Sequence, residues 1–137
     1  MIDIENKIID ILSTAFSGVA KVSSTYVESS EQFPWVYARM TSNGGYARSY
    51  DNELHEHDAS VVFRIEYYSA KTDGAKQEIK ALAQIGDLTM QGIKFRRSSF
   101  NIIPNWDKSI TRAVADYHAI VHEGVERNGD VVHHIFR

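Results

Sequence analysis

Between Ala59 and Ser69 the chain alternates: Val61, Phe63, Ile65 and Tyr67 are interleaved with Ser60, Arg64, Glu66 and Tyr68. Successive strand side chains point to opposite faces, so a period of two over this length specifies a half-buried β-strand. A strand of this kind requires partner strands at its edges and a cover over its apolar side.

Two amphipathic helices can supply the cover. Residues 3 to 16 place Ile4, Ile8, Ile11, Leu12 and Ala15 on one stripe, widened by Ile9 and Phe16, with Lys7, Asp10 and Thr14 opposite. Asp3 is the expected N-cap and Gly18 the expected left-handed stop. The mixed charge of the polar face marks a core helix rather than a membrane anchor. A second helix is expected from Asp73 to Gln91, burying Ala75, Ile79, Leu82, Ala83, Gly86 and Met90, with Thr72 or Asp73 as cap and Gly92 as stop. Glycine in a buried helix face costs about 1 kcal/mol against alanine, so Gly86 is expected where the helix sits close to a sheet.

The remaining segments read as strands. Trp35 to Thr41 is entered through Phe33-Pro34, and Val19 to Val27 is a weaker strand. Ile93 to Ile103 and Ser109 to Arg127 are separated by a Pro104-Asn105 turn, with Gly124 a candidate bend or bulge. Asn128-Gly129 between Val125-Glu126-Arg127 and Val131-Val132 is a strong hairpin signal. The expected fold is therefore α+β over a single domain, residues 1–137. It has a mostly antiparallel sheet, two helices on one face, a long polar loop and a C-terminal β-hairpin. That loop, Asn43 to Asp58, carries Tyr46, Arg48 and Tyr50 two apart, and connections of this length usually have work to do.

Composition removes several function classes. With 43% apolar and 11% aromatic residues the chain is not of the disordered type, and the absence of cysteine excludes disulfides and thiolate metal sites. A net charge of −3 argues against an electrostatic nucleic-acid binder. No run approaches the roughly 18 apolar residues of a membrane span. Met1-Ile2-Asp3-Ile4-Glu5 carries acids where a secretory leader carries positive charge, so an intracellular, soluble protein is expected.

No catalytic constellation emerges, and the chain is expected to be no enzyme and to need no cofactor or metal. His118 and His122 share a strand face with Asp116, but four strand residues span about 13 Å, too far for two ligands of one ion. His55 and His57 flank Glu56 in the polar loop, and His133-His134 are expected in an exposed hairpin. Asp116 and His118 are two apart on one face, the weak acid–base pairing any strand provides. No phosphate-binding, nucleophile-elbow or dinucleotide motif is present. Lys94-Phe95-Arg96-Arg97 is the one basic–aromatic cluster; alternation sends Phe95 to the core and Lys94 and Arg96 to solvent. Tyr46, Tyr50 and Tyr68 lie in the loop or opposite the apolar row, and exposed tyrosine with arginine is typical of interfaces.

The layout resembles the tail terminator (tail completion) proteins of long-tailed bacteriophages, a family also found in prophages and tail-derived particles. The likeness runs over nearly the whole chain: the Ile2–Phe16 helix, Phe33-Pro34-Trp35-Val36-Tyr37-Ala38, a polar loop, and Val61-Val62-Phe63-Arg64-Ile65-Glu66-Tyr67-Tyr68. It continues through the lysine-rich helix, Arg96-Arg97 and Ile110-Thr111-Arg112-Ala113-Val114-Ala115-Asp116-Tyr117-His118-Ala119. The resemblance implies an α+β subunit of a hexameric ring on the head-proximal end of the tail tube. There the ring ends polymerisation and offers a surface to the head's connector. Implied partners are copies of itself, the tail tube protein and a head-completion or connector protein, with DNA only as passing cargo and no membrane. The implied location is the virion tail, after assembly in the host cytoplasm. On this reading Tyr46, Arg48, Tyr50 and Tyr68 are candidate contacts to tube or neighbour, and Lys94, Arg96 and Arg97 candidate subunit contacts. Another head–tail joining protein, a stopper or connector adaptor, is the alternative. A small metal-dependent hydrolase or nuclease using Asp116 and His118 is a third.

Overall fold

The computed structural model describes residues 3–25, 33–45, 58–104, 109–125 and 131–136. In chain order these form α1 (Glu5–Ala15), β1 (Lys21–Ser23), β2 (Trp35–Gly45), β3 (Asp58–Ser69), α2 (Ala75–Gly92), β4 (Arg96–Ile103), β5 (Thr111–Val125) and β6 (Val131–Phe136). The sheet runs β1-β2-β3-β5-β4, and β6 pairs with β5 as well. Because β4 pairs with Arg112 to His118 and β6 with Ile120 to Val125, the two share one edge of β5, and β3 holds the other. The α+β architecture expected from the periodicities is the observed one.

The alternating strand sits at the centre. Tyr67, Ile65 and Phe63 of β3 lie opposite Val36, Ala38 and Met40 of β2 on one side. On the other side they oppose Ala113, Ala115 and Tyr117 of β5. This inward row joins Ile4, Ile8, Leu12 and Phe16 of the N-terminal helix and Ile79, Leu82, Ala83 and Met90 of α2 in one buried cluster. Both helices therefore cover the same face, and the hydrophobic burial of that layer is the main source of stability.

Several local expectations need correction. Of the strand expected from Val19 to Val27, the described residues form strand only at Lys21–Ser23, while Tyr26 and Val27 lie outside them; β1 pairs parallel to β2, so the sheet is mixed at that edge. Asp3 Oδ1 accepts the Glu5 amide at 3.0 Å, but the N-cap position is Ile4, without a side-chain cap. In α2 neither Thr72 nor Asp73 caps the helix: Gly74, at φ 77°, is the N-cap. At its other end the helix includes Gly92, and the left-handed residue is Lys94, at φ 70°. That turn consumes Ile93 to Phe95, so β4 starts at Arg96 rather than Ile93. Register breaks fall between Met40 and Ser42 and between Arg97 and Ser99, not at Gly124, which keeps register with Val132. Asn105 and Asn128-Gly129 lie outside the described residues.

Gly86 is the point where α2 comes closest to the sheet. A Cβ there would lie 1.9 Å from the Tyr67 hydroxyl, so only glycine leaves room for that ring. The Tyr67 oxygen is sealed in and has no hydrogen-bond partner among the described residues. Beside it, the Tyr117 hydroxyl donates to the Asp87 carboxylate of α2, which also receives Arg97 Nη1 at 2.6 Å. Burial pushes the Tyr67 phenol up in pKa; Tyr117 works against that shift and Asp87 adds to it. Burial also raises Tyr117, reinforced by Tyr67 and Asp87.

Both folded values thus lie above the ordinary tyrosine value of about 10, so the folded state keeps protons that the unfolded state releases. The associated stability is complete below pH of about 10 and is lost as pH climbs above it. An alkaline titration followed by phenolate absorbance and circular dichroism should show two of the seven tyrosines ionising only with unfolding. Seven phenols titrating together while the fold stays intact would contradict this environment.

Candidate interaction surface

The opposite face of the sheet is built from the outward residues of the same strands. Its rows run Trp35–Tyr68–Arg112–Ile103, Tyr37–Glu66–Val114–Asn101 and Arg39–Arg64–Asp116–Ser99 across β2, β3, β5 and β4. Arg39 and Arg64 stand directly opposite each other, an arrangement that like charges disfavour. Each is drawn to its own carboxylate. Arg64 grips Asp116 through two bonds of 2.8 and 3.1 Å, and Arg39 turns diagonally to Glu66 Oε2 at 2.6 Å.

Glu66 is the centre of this surface. Its side chain is only 2% exposed, while Arg39 and Arg112 on either side are 28% and 29% exposed. Arg112 Nε donates to Oε1 at 3.0 Å, and its Nη2 reaches the same oxygen. A buried carboxylate costs free energy unless it is paired and hydrogen-bonded, and here both oxygens are engaged. Burial alone works against the Arg112 cation, and Glu66 more than offsets it. The Asp116 bond likewise raises the pKa of Arg64.

Aromatic rings frame the charges. Trp35 stacks on Tyr68 with centroids 4.7 Å apart, and on Tyr37 at 6.0 Å. The Arg39 guanidinium lies 4.4 Å from the Tyr37 ring centre, a cation–π contact. Together with Lys21 at the β1 edge and Arg96 on β4, the described side chains of this face comprise five cations against Glu66 and Asp116. The face is therefore cationic in a chain whose net charge is −3.

The residues singled out from the sequence are scattered. Tyr46, Arg48 and Tyr50 lie outside the described residues. Tyr68 is on the open face but only 5% exposed, stacked on Trp35, so an exposed tyrosine anchor is corrected to a buried ring. Lys94 is exposed in the turn between α2 and β4. Arg96 is exposed opposite His118 on the open face. Arg97 points to the helix side and pairs with Asp87, so the two adjacent arginines serve different faces. Phe95 is fully buried.

Asp116 does not stand ready as an acid–base partner for His118, because Arg64 occupies both of its oxygens. Among the described residues no three metal-ligating side chains converge. No described helix is long and apolar enough to cross a membrane. The sequence reading missed Glu66, Arg39 and Arg112 as a unit. Their shared outward parity was legible, but only the register places Glu66 between the two arginines.

No protein-family model matches the chain, and no curated protein matches it.

Proposed function

We propose that this protein is a structural subunit of a homo-oligomeric ring of the tail-terminator kind. Such a ring caps the head-proximal end of a phage tail tube and presents a joining surface to the head. The observation that carries the reading is the cationic, arginine- and tyrosine-bearing sheet face on a chain that is acidic overall. A surface of one sign on a molecule of the other suits a head-to-tail contact, in which this face of one copy meets a more acidic surface of the next. Head-to-tail contacts close into rings when the rotation per subunit allows it. The layout resemblance gives the ring its place on the tail, with the tube protein, a connector protein and passing DNA as partners.

In this arrangement the protein acts by shape. One face of the ring binds the last tube ring, and the other offers no site for a further tube subunit. Tube growth then ends without a chemical step.

Charge reversal at the rim tests the contact. Arg96→Glu, at an exposed edge position, should leave unfolding free energy within about 0.5 kcal/mol of the parent. It should nevertheless move the light-scattering mass at high protein concentration toward the monomer. Unchanged self-association of the variant, or a parent that is monomeric and ignores tube ends, would overturn the assignment.

A further inference from the structure

We propose that Arg96 and His118, a cross-strand pair at one corner of the open face, bind the Asp10 carboxylate of a second copy of the chain, and that protonation of His118 strengthens this contact. The inference rests on the ring reading above and names the groups that make the subunit contact. Arg96 of β4 is the direct partner of His118 of β5, and both side chains are exposed. Directly opposed positions on neighbouring antiparallel strands have Cβ atoms about 4.5–5.5 Å apart, so one carboxylate can reach both.

The distribution of ion pairs singles out this corner. Arg39 and Arg112 hold Glu66, Arg64 holds Asp116 and Arg97 holds Asp87. Arg96 alone of the described arginines has no carboxylate, and His118 has neither hydrogen bond nor ion pair among the described residues. The described carboxylates show the complementary pattern. Glu66, Glu78, Asp87 and Asp116 stand in ion pairs. Glu5 accepts the Met40 amide and Asp3 the Glu5 amide. Asp73 lies between Lys71 and Lys76 in the bend that leads into α2. Asp10, exposed on α1, has no side-chain partner among the described residues.

Because α1 covers one face of the sheet and Arg96 and His118 stand on the other, no chain can satisfy its own corner. A contact between two unlike surfaces is heterologous, the type that generates rings. The charged groups facing His118 are few. Arg96 lies across from it on β4, and Asp116 two residues back on β5. On β3 its direct partner is Val62, with Arg64 on the diagonal. Arg64 occupies both oxygens of Asp116, β6 pairs only from Ile120 onward, and both helices cover the other face. Histidines change charge between about pH 5 and 8, a range in which ordinary carboxylates stay ionised. A protonated His118 beside Arg96 is a like-charge pair, which facing strands disfavour. A carboxylate set between them relieves the repulsion and attracts both, so protonation and contact favour each other.

Sedimentation equilibrium of the full chain at two pH values tests the contact. From about pH 7.5 to about pH 5.5 the parent should self-associate about tenfold more tightly, and His118→Gln less than about twofold. Comparing the two removes the general effect of the remaining histidines. At about pH 7.5, Asp10→Lys should weaken association by about tenfold, and adding Arg96→Glu to it should recover most of that loss, because the swap restores an opposite pair. All three positions are exposed, and circular dichroism of each variant checks the fold. A parent whose association ignores pH, a pH response that survives His118→Gln, or a charge swap that recovers nothing overturns the proposal and leaves a ring held by other contacts standing. A parent that is monomeric at both pH values overturns the proposal and the ring reading together.

Discussion

Gly86→Ala should lower the unfolding free energy by about 2 kcal/mol, although alanine is the better helix former. In an exposed helix interior the same change would add about 1 kcal/mol of stability. Here the new methyl meets the Tyr67 oxygen at 1.9 Å and the ring carbon that bears it at 3.1 Å. Tyr67 is fully buried between the helix layer and the sheet, with Phe16 packed 6.4 Å away, so its ring has no free space to retreat into. Overpacking of this kind costs about 1–3 kcal/mol and sometimes more, which outweighs the gain in helix propensity.

The partner substitution separates this account from a general intolerance of the helix. Tyr67→Phe removes the hydroxyl that lacks a hydrogen-bond partner among the described residues, and should by itself be close to neutral. Combined with Gly86→Ala it should recover at least about 1 kcal/mol, because the closest contact disappears. In thermal terms Gly86→Ala should cost roughly 5–10 °C of Tm for a chain of this size. Additive effects in the double-mutant cycle would show that the close approach at Gly86 is not what limits the helix.

Glu66→Ala should be the most damaging single change on the open face, at about 2–3 kcal/mol. Removing one partner of a buried ion pair strands the other, at a cost of about 3–5 kcal/mol in fully buried cases. Arg39 and Arg112 keep 28% and 29% exposure and recover part of their hydration, which brings the expected loss below that range. Asp116→Ala provides the contrast. Its pair with Arg64 is more exposed, at 20% and 37%, so the loss should be nearer 1 kcal/mol. Replacing Glu66, Arg39 and Arg112 together by apolar residues of similar size should restore much of the stability lost in Glu66→Ala. Equal losses for Glu66→Ala and Asp116→Ala in chemical denaturation would contradict the central position assigned to Glu66.

The sequence made one layer of this molecule legible and left the other largely hidden. Val61, Phe63, Ile65 and Tyr67 announce the inward row because burial imposes a period of two, and the stripes of both helices follow the same logic. Gly86 could be placed at a close approach because glycine is costly in a helix, although the residue it accommodates could not be named. Strand adjacency is a different matter. Asp116 reaches Arg64 and Arg112 reaches Glu66 across 52 and 46 residues of chain, and no local pattern encodes such pairings. The same holds for His122 and His134, whose spacing along the chain gives no sign that they are cross-strand partners. Gly18 after α1 is left-handed as expected, whereas at α2 Gly74 and Lys94 take the left-handed conformation one or two residues from the expected cap and stop. Parity assigns Tyr68 to the open face but says nothing of its cover, and Trp35 packs against the ring.

Electron microscopy of the purified protein, alone and mixed with phage tail tubes, tests the proposed ring most directly. The account predicts closed six-membered rings, or tube ends capped at one extremity only, with tubes that no longer lengthen when free tube protein is added. Dispersed single subunits beside bare, still-growing tube ends would contradict it.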